Sequence, residues 1–319
     1  MDLTSYRLVY KDAKHRSSHK LSKEDPDGLV KALQSDNKFW RMHAQRLLVE
    51  RQKDDVVDDL IRIAKDKKVD EIGLNAPAIH ALWTLQGLNV IEKNQEVFDA
   101  VVQSLGHPSA GVRKAAVQVL PANDRSRAAI LESNILADTA LNTRLAAFVR
   151  LAEYPASADI ARALLEAAGD PVNENDRWLS QALFAAITRH EDEFLSIASQ
   201  ATNSFVKRIT ESLVNEQYVL GRRTRLQFSP DISNKEIYIQ TEVSRRDNQS
   251  FNGLIVGQGD RAEGYALYMK SNRLFFEVYQ HGQTATVSSR GVVPNSFTVE
   301  ARLVADASLE LLVNGVTQG

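Results

Sequence analysis

The chain contains no cysteine, and this absence excludes several kinds of site at once. Disulfide bonds, thiolate metal ligands, a cysteine nucleophile and a covalently attached CxxCH haem all require that residue. Neither charge is in clear excess, since 39 Lys and Arg stand against 41 Asp and Glu. Nucleic-acid and anionic-membrane binders usually carry a basic excess, so we expect neither partner, although a local basic patch is compatible with this balance.

Long apolar runs are missing as well. No stretch of about 18 apolar residues occurs, so we expect no membrane span. The first residues, MDLTSYRLVYKDAKHR, lack the apolar core of a signal peptide, so we expect no signal peptide in this chain.

Glycine is scarce in the first part of the chain and frequent in the last part. Six of the 15 glycines precede residue 221 and nine lie in the last 99 residues, whereas all three Trp precede that point. This shift predicts a helical domain followed by an all-β domain. We place a strand (Ser5–Tyr10) and a linker within residues 1–24, the helical domain at 25–220 and the β domain at 221–319, with the chain ending inside the last domain.

A spacing of R-x-x-A-x-x-x-L recurs in the helical part, at Arg41–Leu48, Arg113–Leu120 and Arg144–Leu151. Two further units lack the arginine, with Ala78 and Leu179 in its place, and the repeated alanines of the five units stand at positions 44, 81, 116, 147 and 182. Their separations of 37, 35, 31 and 35 residues match the length of a helical-hairpin repeat. Such hairpins bury their faces against their neighbours, so we predict a right-handed α-solenoid.

Apolar periodicity places the individual helices. They are expected at 26–33, 38–50, 56–64, 77–88, 95–105, 110–120, 128–133 with 135–137, 144–152, 158–168, 178–187, 193–200 and 204–220. Trp40, Trp83 and Trp178 lie at helical spacing among apolar residues, so we expect all three in the core.

The stretch Leu105–Leu120, L-x-H-P-S-A-x-V-R-x-x-A-x-x-x-L, resembles a HEAT repeat of the HEAT/armadillo class. A further resemblance lies within Ser5–Leu88, in the segments YRLVY, LVKAL, WRMHAQRLL and HALWTL. These are similar to the helical section of large bacterial haem-binding, membrane-bound dehydrogenase-type proteins, in which a β-propeller precedes the helices. That resemblance implies a periplasmic or extracellular location. This chain has neither propeller nor CxxCH, so the resemblance does not carry the redox activity with it.

From Arg222 onward the apolar period changes from 3.6 to 2, which indicates strands. Strands are expected at 237–243, 253–256, 265–269, 273–279, 284–288, 297–304, 309–313 and 316–318, with turns at Ser271-Asn272, His281-Gly282 and Asn314-Gly315. Short strands at this spacing predict an antiparallel sandwich. The segments GLIVGQG, GYALYM and LFFEV resemble a laminin G-like, concanavalin A-like jelly roll.

Polar and aromatic residues near the predicted strand ends form the candidate ligand-binding set of the sandwich. They are Gln258, Asp260, Arg261, Tyr265, Tyr279 and His281. Flat rings stack on sugars while carboxylates and amides hold sugar hydroxyls, so this set would suit a glycan, whereas the structural alternative is a solvated sheet face and rim. We expect no cofactor in this chain; Ca²⁺ in the sandwich, with Asp260 as one oxygen ligand, is the alternative.

The repeated arginines Arg41, Arg113 and Arg144 are the candidate partner-binding residues of the helical part. A ladder of arginines would suit an acidic partner, whereas the structural alternative pairs each arginine with an acidic or carbonyl group of its neighbour. The structural alternative agrees better with the resemblance to HEAT repeats.

No catalytic or metal-binding motif is found: G-x-S-x-G, H-E-x-x-H and the Walker loop are all missing. We therefore expect a non-enzymatic scaffold or binding fragment of a larger envelope or secreted protein, whose partners are proteins or glycans. A sugar-active enzyme is the first alternative, and it would need an acidic pair such as Glu277 and Glu300 in one cleft. An accessory region of a haem-containing dehydrogenase is the second.

Overall fold

The computed structural model of the protein describes residues 20–215, 217–221, 223–244, 251–260 and 262–318. The chain divides into two compact units, Met1–Tyr218 and Val219–Gly319. The described part of the first unit is helical and the second contains two antiparallel sheets, which confirms the predicted order of an α part before a β part. The predicted strand Ser5–Tyr10 lies outside the described residues.

The described residues of the first unit form thirteen α-helices and one short 3-10 helix, η1. They are α1 (Pro26–Leu33), α2 (Lys38–Arg51), α3 (Val57–Ala64), α4 (Ala76–Gly87), α5 (Gln95–Ser104), α6 (Ala110–Val119), α7 (Asp124–Glu132), η1 (Ile135–Ala137), α8 (Leu141–Leu151), α9 (Ala158–Ala168), α10 (Pro171–Asn175), α11 (Arg177–Arg189), α12 (Glu191–Ala198) and α13 (Ser204–Val214). Within the described part of the chain, no helix combines the length and apolar character needed to cross a membrane.

Asparagine and aspartate side chains fix many of the helix starts. Asn94 precedes α5, and its side-chain oxygen accepts hydrogen bonds from the backbone N–H groups of Glu96 and Val97. Asn123 caps α7 in the same way at Ser126, so this helix begins four residues earlier than apolar periodicity predicts. A capping side chain satisfies N–H groups that have no partner inside the helix.

Five helices pack side by side in chain order, and we call them the second helices: α2, α4, α6, α8 and α11. The five repeated alanines lie in these helices and all of them are buried. Each of the helices α1, α3, α5 and α9 packs against the second helix that follows it, as η1 does against α8. Each second helix therefore buries one of these small side chains within the packed helices.

The prediction that all three tryptophans lie in the core is wrong for Trp178. Its side chain is 66% exposed, whereas Trp40 and Trp83 are half-buried. The buried face of α11 is formed by Leu179, Ala182, Leu183 and Ala186, among others. Trp178 precedes this face at the second position of the helix, so its ring projects away from the core.

The second unit contains two four-stranded antiparallel sheets. One has the order β1 (Ile237–Ser244), β6 (Ser296–Leu303), β7 (Leu309–Val313) and β8 (Val316–Thr317); the other has the order β2 (Gly253–Gly259), β3 (Gly264–Lys270), β4 (Arg273–Gln280) and β5 (Gln283–Ser288). The turns at Ser271-Asn272, His281-Gly282 and Asn314-Gly315 have positive φ at both central residues, which confirms the predicted hairpin turns.

One apolar cluster joins the two sheets. It includes Val243, Val299 and Leu311 from the first sheet and Leu267 and Phe276 from the second. These residues occupy alternate positions of their strands, so each sheet turns one face toward this shared core and the opposite face outward.

Candidate functional site

The outward face of the β2–β3–β4–β5 sheet carries an unusual group of side chains. On β4, Phe275, Glu277 and Tyr279 alternate with the buried Leu274 and Phe276, so they point away from the core. On β3, Tyr268 lies directly opposite Phe275 and shares that face. We call Tyr268, Phe275, Glu277 and Tyr279, together with the small residues beside them on β2 and β3, the Glu277 face.

Two tyrosine hydroxyls converge on one carboxylate. The Tyr268 hydroxyl donates to Glu277 Oε1 at 2.7 Å, and the Tyr279 hydroxyl donates to the other oxygen, Oε2. Burial and the hydrogen bond to Glu277 both raise the pKa of Tyr268 above its usual value. The two tyrosines therefore hold the carboxylate in a fixed orientation at the centre of this face.

Tyr268 and Phe275 form a cross-strand ring stack beside this carboxylate. Their ring centroids are 5.3 Å apart and the ring planes are 11° from parallel. The Arg273 guanidinium lies 5.6 Å from the Phe275 ring centroid and donates to the Ser289 carbonyl at 2.9 Å. Arg273 therefore ties the stack to the residue that follows β5, and the Tyr268 hydroxyl is directed at Glu277.

Small residues line the other side of Glu277 and leave the backbone uncovered. Gly257 pairs with Ala266, and Gly259 pairs with Gly264, which lies opposite Tyr279. A Cβ on Gly264 would lie 2.1 Å from the Gln258 carbonyl oxygen, and its φ of +141° disfavours any other residue. The result is a floor of four small residues next to the carboxylate, bordered by Leu254, whose Cδ1 would lie 3.2 Å from a Cβ on Gly257.

The predicted ligand-binding set lies at this end of the sheet but is divided between its two sides. Tyr279 belongs to the Glu277 face. Tyr265 points the other way and packs against the shared core, where burial raises its pKa. Gln258 is paired with Tyr265 and donates to the Pro230 carbonyl at 2.7 Å.

The remaining members of the set lie in turns. Asp260 Oδ1 accepts the N–H groups of Ala262 and Glu263, which lowers the pKa of the Asp260 carboxyl. His281 occupies the first central position of the β4–β5 turn, with φ of 51°. Arg261 lies outside the described residues. Asp260 and His281 therefore have clear structural roles in closing hairpins, and calcium at Asp260 stays a prediction.

Glu277 and Glu300, the candidate acidic pair, lie on different sheets. Glu300 alternates with the buried Val299 and Ala301 and so faces outward from the β1–β6–β7–β8 sheet. There it accepts hydrogen bonds from Tyr238 at 3.2 Å and Arg302 at 2.8 Å. Because the two carboxylates lie on outward faces of opposite sheets, they do not form one catalytic pair.

The three repeated arginines are engaged within the chain. Arg113 binds Asp138 through two hydrogen bonds, of 2.5 and 2.7 Å, and also donates to the carbonyls of His107 and Pro108. Burial opposes ionisation of Asp138, but the contact with Arg113 lowers its pKa overall. An arginine that donates two hydrogen bonds to the two oxygens of one carboxylate forms a stronger contact than one that donates a single hydrogen bond.

Arg144 and Arg41 repeat this arrangement in part. Arg144 binds Asp170 at 2.6 Å and Asn173 at 3.1 Å, while Arg41 donates to the Ser35 carbonyl at 2.7 Å. Each guanidinium thus ties its helix to a neighbouring turn, as in the structural alternative. Binding of an outside partner by these three arginines stays a prediction.

A groove of about 890 Å³ lies in the helical unit between α5 and α7. The Arg125 guanidinium lies over the Phe98 ring at 4.0 Å on its wall. Gln95 bridges the charged groups there, since it donates to Asp99 at 2.7 Å and accepts from Arg125 at 2.6 Å. These charged groups are engaged with each other, so we place the candidate site on the Glu277 face instead.

Sequence reasoning missed Tyr268 and Phe275. Alternation along each strand places both residues on the outward side, but only the pairing of β3 with β4 brings their rings together. Among the described residues, no group of three or more His, Asp and Glu is arranged to hold a metal ion. The chain matches no protein-family model, and no curated protein matches it.

Proposed function

We propose that this chain is a non-enzymatic binding scaffold of a larger envelope or secreted bacterial protein. Its β unit binds a glycan on the Glu277 face, and its helical unit carries that module and binds a protein partner. A periplasmic or extracellular location is part of the proposal, because surface glycans are found there.

The architecture in this proposal is a HEAT-like α-solenoid followed by a jelly-roll sandwich. The ordered packing of the five second helices, with a buried alanine in each, supports the solenoid. Two four-stranded antiparallel sheets around one core support the sandwich. The G-Y-x-L-Y segment on β3 fits the laminin G-like resemblance.

One observation carries the glycan proposal: a carboxylate held by two tyrosine hydroxyls beside a floor of small residues. A carboxylate has lone pairs left over after accepting two hydrogen bonds, so Glu277 can still accept from sugar hydroxyls. The floor lets a pyranose ring approach the backbone closely, and the Tyr268 and Tyr279 rings offer apolar surface for its C–H groups.

The sugar-active enzyme alternative receives less support from this arrangement. Glycoside hydrolysis uses two carboxylates separated by roughly 5 to 9.5 Å across one bond of the substrate. Glu277 and Glu300 are on outward faces of opposite sheets, so neither serves as partner of the other. No contact among the described residues favours the haem-dehydrogenase alternative.

A glycan-array screen of the full chain tests the proposal, with and without calcium. We expect saturable binding to one class of glycan, and a loss of roughly tenfold or more in affinity on Glu277→Gln, because the amide offers fewer acceptor sites to a hydroxyl. Tyr279→Phe removes one of the two hydroxyls that orient the carboxylate and is expected to weaken binding to a smaller extent.

Glu300→Gln is the matched control, because Glu300 also accepts a tyrosine hydroxyl but on the other sheet. Equal losses from Glu277→Gln and Glu300→Gln would mean that the Glu277 face is not the site. Absence of binding by a folded sample to any glycan on the array would overturn the glycan proposal.

A further inference from the structure

Exposed apolar side chains are unevenly distributed over the helical unit. Among the second helices, five large apolar side chains are at least 38% exposed: Phe39, Met42, Leu141, Val149 and Trp178. The helices α1, α3, α5, α7 and α9, which we call the first helices, have no such residue, and the remaining helices α10, α12 and α13 have one each: Val172, Ile197 and Val214. Exposed apolar groups on one row of helices and not on the other indicate a binding surface rather than scattered exposure.

Charge is divided between the same two rows. The second helices contain ten Lys and Arg but one acidic residue, Glu50. The first helices contain nine Asp and Glu against five Lys and Arg. The near-neutral total charge of the chain therefore conceals one basic row and one acidic row.

Not all of the basic groups are available to a partner. Arg113, Arg144 and Arg150 pair with carboxylates of the chain itself. Lys38, Lys114 and Arg177 make no ion pair within the described residues. The last of these lies 5.4 Å from the ring of Trp178, which places a cation beside the most exposed aromatic of this row.

These side chains lie on the solvent-exposed surface of one row of helices. The second helices pack against one another in chain order, and each also packs against a helix that precedes it. Phe39 and Met42 are exposed on α2, Leu141 and Val149 on α8, and Trp178 on α11, and we call this solvent-exposed surface the face of the row. At about 8–10 Å between adjacent helix axes, the five second helices span roughly 30–40 Å, about the length of a 20-residue helical peptide.

We propose that this face of the second helices binds an acidic segment of a partner protein through carboxylates and apolar anchor residues. The inference rests on the protein-binding role proposed above for the helical unit, and it names the chemistry of the partner. A nucleic acid fits less well, because three unpaired cations are fewer than the roughly six to ten phosphate contacts of a typical binder, and the same row exposes large apolar side chains.

Fluorescence anisotropy of the full chain with three labelled peptides of about 20 residues tests the proposal. The first peptide is an amphipathic helix with Leu anchors on one face and Glu on the other. The second peptide has Lys in place of every Glu, and the third has Ser in place of every Leu. We expect the first to bind best, and to bind more weakly at about 300 mM than at about 50 mM salt, because screening weakens exposed charge pairs.

Two variants connect the binding to this face. Trp178→Ala is expected to weaken the first peptide by roughly tenfold, as an exposed aromatic anchor does. The triple variant Lys38→Glu, Lys114→Glu, Arg177→Glu is expected to abolish binding. The matched control, Lys31→Glu, Arg62→Glu, Arg162→Glu, makes the same change of charge on the first helices and is expected to bind normally.

Other outcomes overturn the proposal. Stronger binding of the lysine peptide would keep a protein-binding helical unit but contradict an acidic partner. Equal binding of the serine peptide, or tighter binding of a duplex DNA competitor, would mean that the surface binds polyanions in general and does not recognise apolar anchor residues. No binding of the first peptide contradicts the proposal outright, and none of these results alters the glycan-array outcome for Glu277.

Discussion

Two buried histidines make the same pair of contacts in different parts of the helical unit. His107 Nδ1 accepts the Ser109 N–H at 2.9 Å, and its Nε2 lies 2.9 Å from the Asp66 carbonyl oxygen. His190 Nδ1 accepts the Ser157 N–H at 3.1 Å, and its Nε2 lies 3.0 Å from the Leu151 carbonyl oxygen. Each imidazole thus accepts with one nitrogen and donates with the other, which joins a turn to an earlier part of the chain.

Histidine burial makes the stability of the helical unit depend on pH. Burial lowers the pKa of His80 to about 4, assisted by Arg41 and Lys38, and burial also lowers that of His190, where Glu193 acts in the opposite sense. Below about pH 6.5 the unfolded chain therefore begins to bind protons at these two histidines while the folded chain still resists protonation. The stabilisation is complete above about pH 6.5, the unfolded value, and is lost as the pH falls toward the folded value.

We expect the free energy of unfolding, measured by urea titration, to fall by roughly 1 kcal/mol per chain from pH 6.5 to pH 5. His80→Gln should flatten this slope, because glutamine keeps a hydrogen-bonding group toward Gln45 but does not titrate. His281→Asn, in a hairpin turn of the β unit, serves as the control. A slope that is unchanged in His80→Gln would contradict the assignment.

At the scale of elements, we expect the repeated alanines to set the distance between second helices. Ala116 is fully buried in α6, which packs against both α4 and α8. Ala116→Leu adds three carbons where two helices already meet, so we expect a loss of about 1–3 kcal/mol in the free energy of unfolding. Ala185→Leu, on the exposed side of α11, is the matched control and should change it by less than about 0.5 kcal/mol.

Chemical denaturation monitored by circular dichroism measures both variants. A tolerated leucine at position 116 would mean that the alanine recurs for a reason other than close helix packing. The comparison also distinguishes helix propensity from packing, because leucine is nearly as good a helix former as alanine at either position.

Periodicity predicted the helices well because each buries one apolar stripe, but their ends depend on single side chains. Helix α10 was missed: it has five residues, opened by Asp170 and Pro171, too short for a period to show. Helix α13 was predicted to continue to Leu220, yet it ends at Val214, with only Phe205, Val206 and Ile209 buried. Apolar residues beyond that point belong to no helical face.

The candidate site was predictable only in part, because strand pairing decides it. Tyr279 was predicted as a ligand-binding residue, and Glu277 was named as half of a candidate acidic pair; both lie on the Glu277 face. Tyr265 was expected beside them, but one residue of alternation places it on the core side. The Tyr268–Phe275 stack depends on the register between β3 and β4, which no local pattern along one strand specifies.

At the scale of the whole molecule, the chain contains two compact units, each with its own apolar core. Phe148 on α8 and Phe276 on β4 are both fully buried, one in each unit. Separate cores allow separate unfolding transitions, since the loss of one core does not by itself expose the other. Phe148→Ala and Phe276→Ala each remove the same side chain, so they form a matched pair.

Each variant should lose about 3–5 kcal/mol in the unit that contains it and little in the other. All three tryptophans precede residue 221, so their fluorescence reports on the helical unit, while hydrogen exchange of the β3 and β4 amides reports on the β unit. Phe148→Ala should shift only the fluorescence transition, and Phe276→Ala should raise only the exchange rates. Equal shifts of both signals in both variants would show a single cooperative unit, and each proposed binding surface would then have to be tested for coupling to the other.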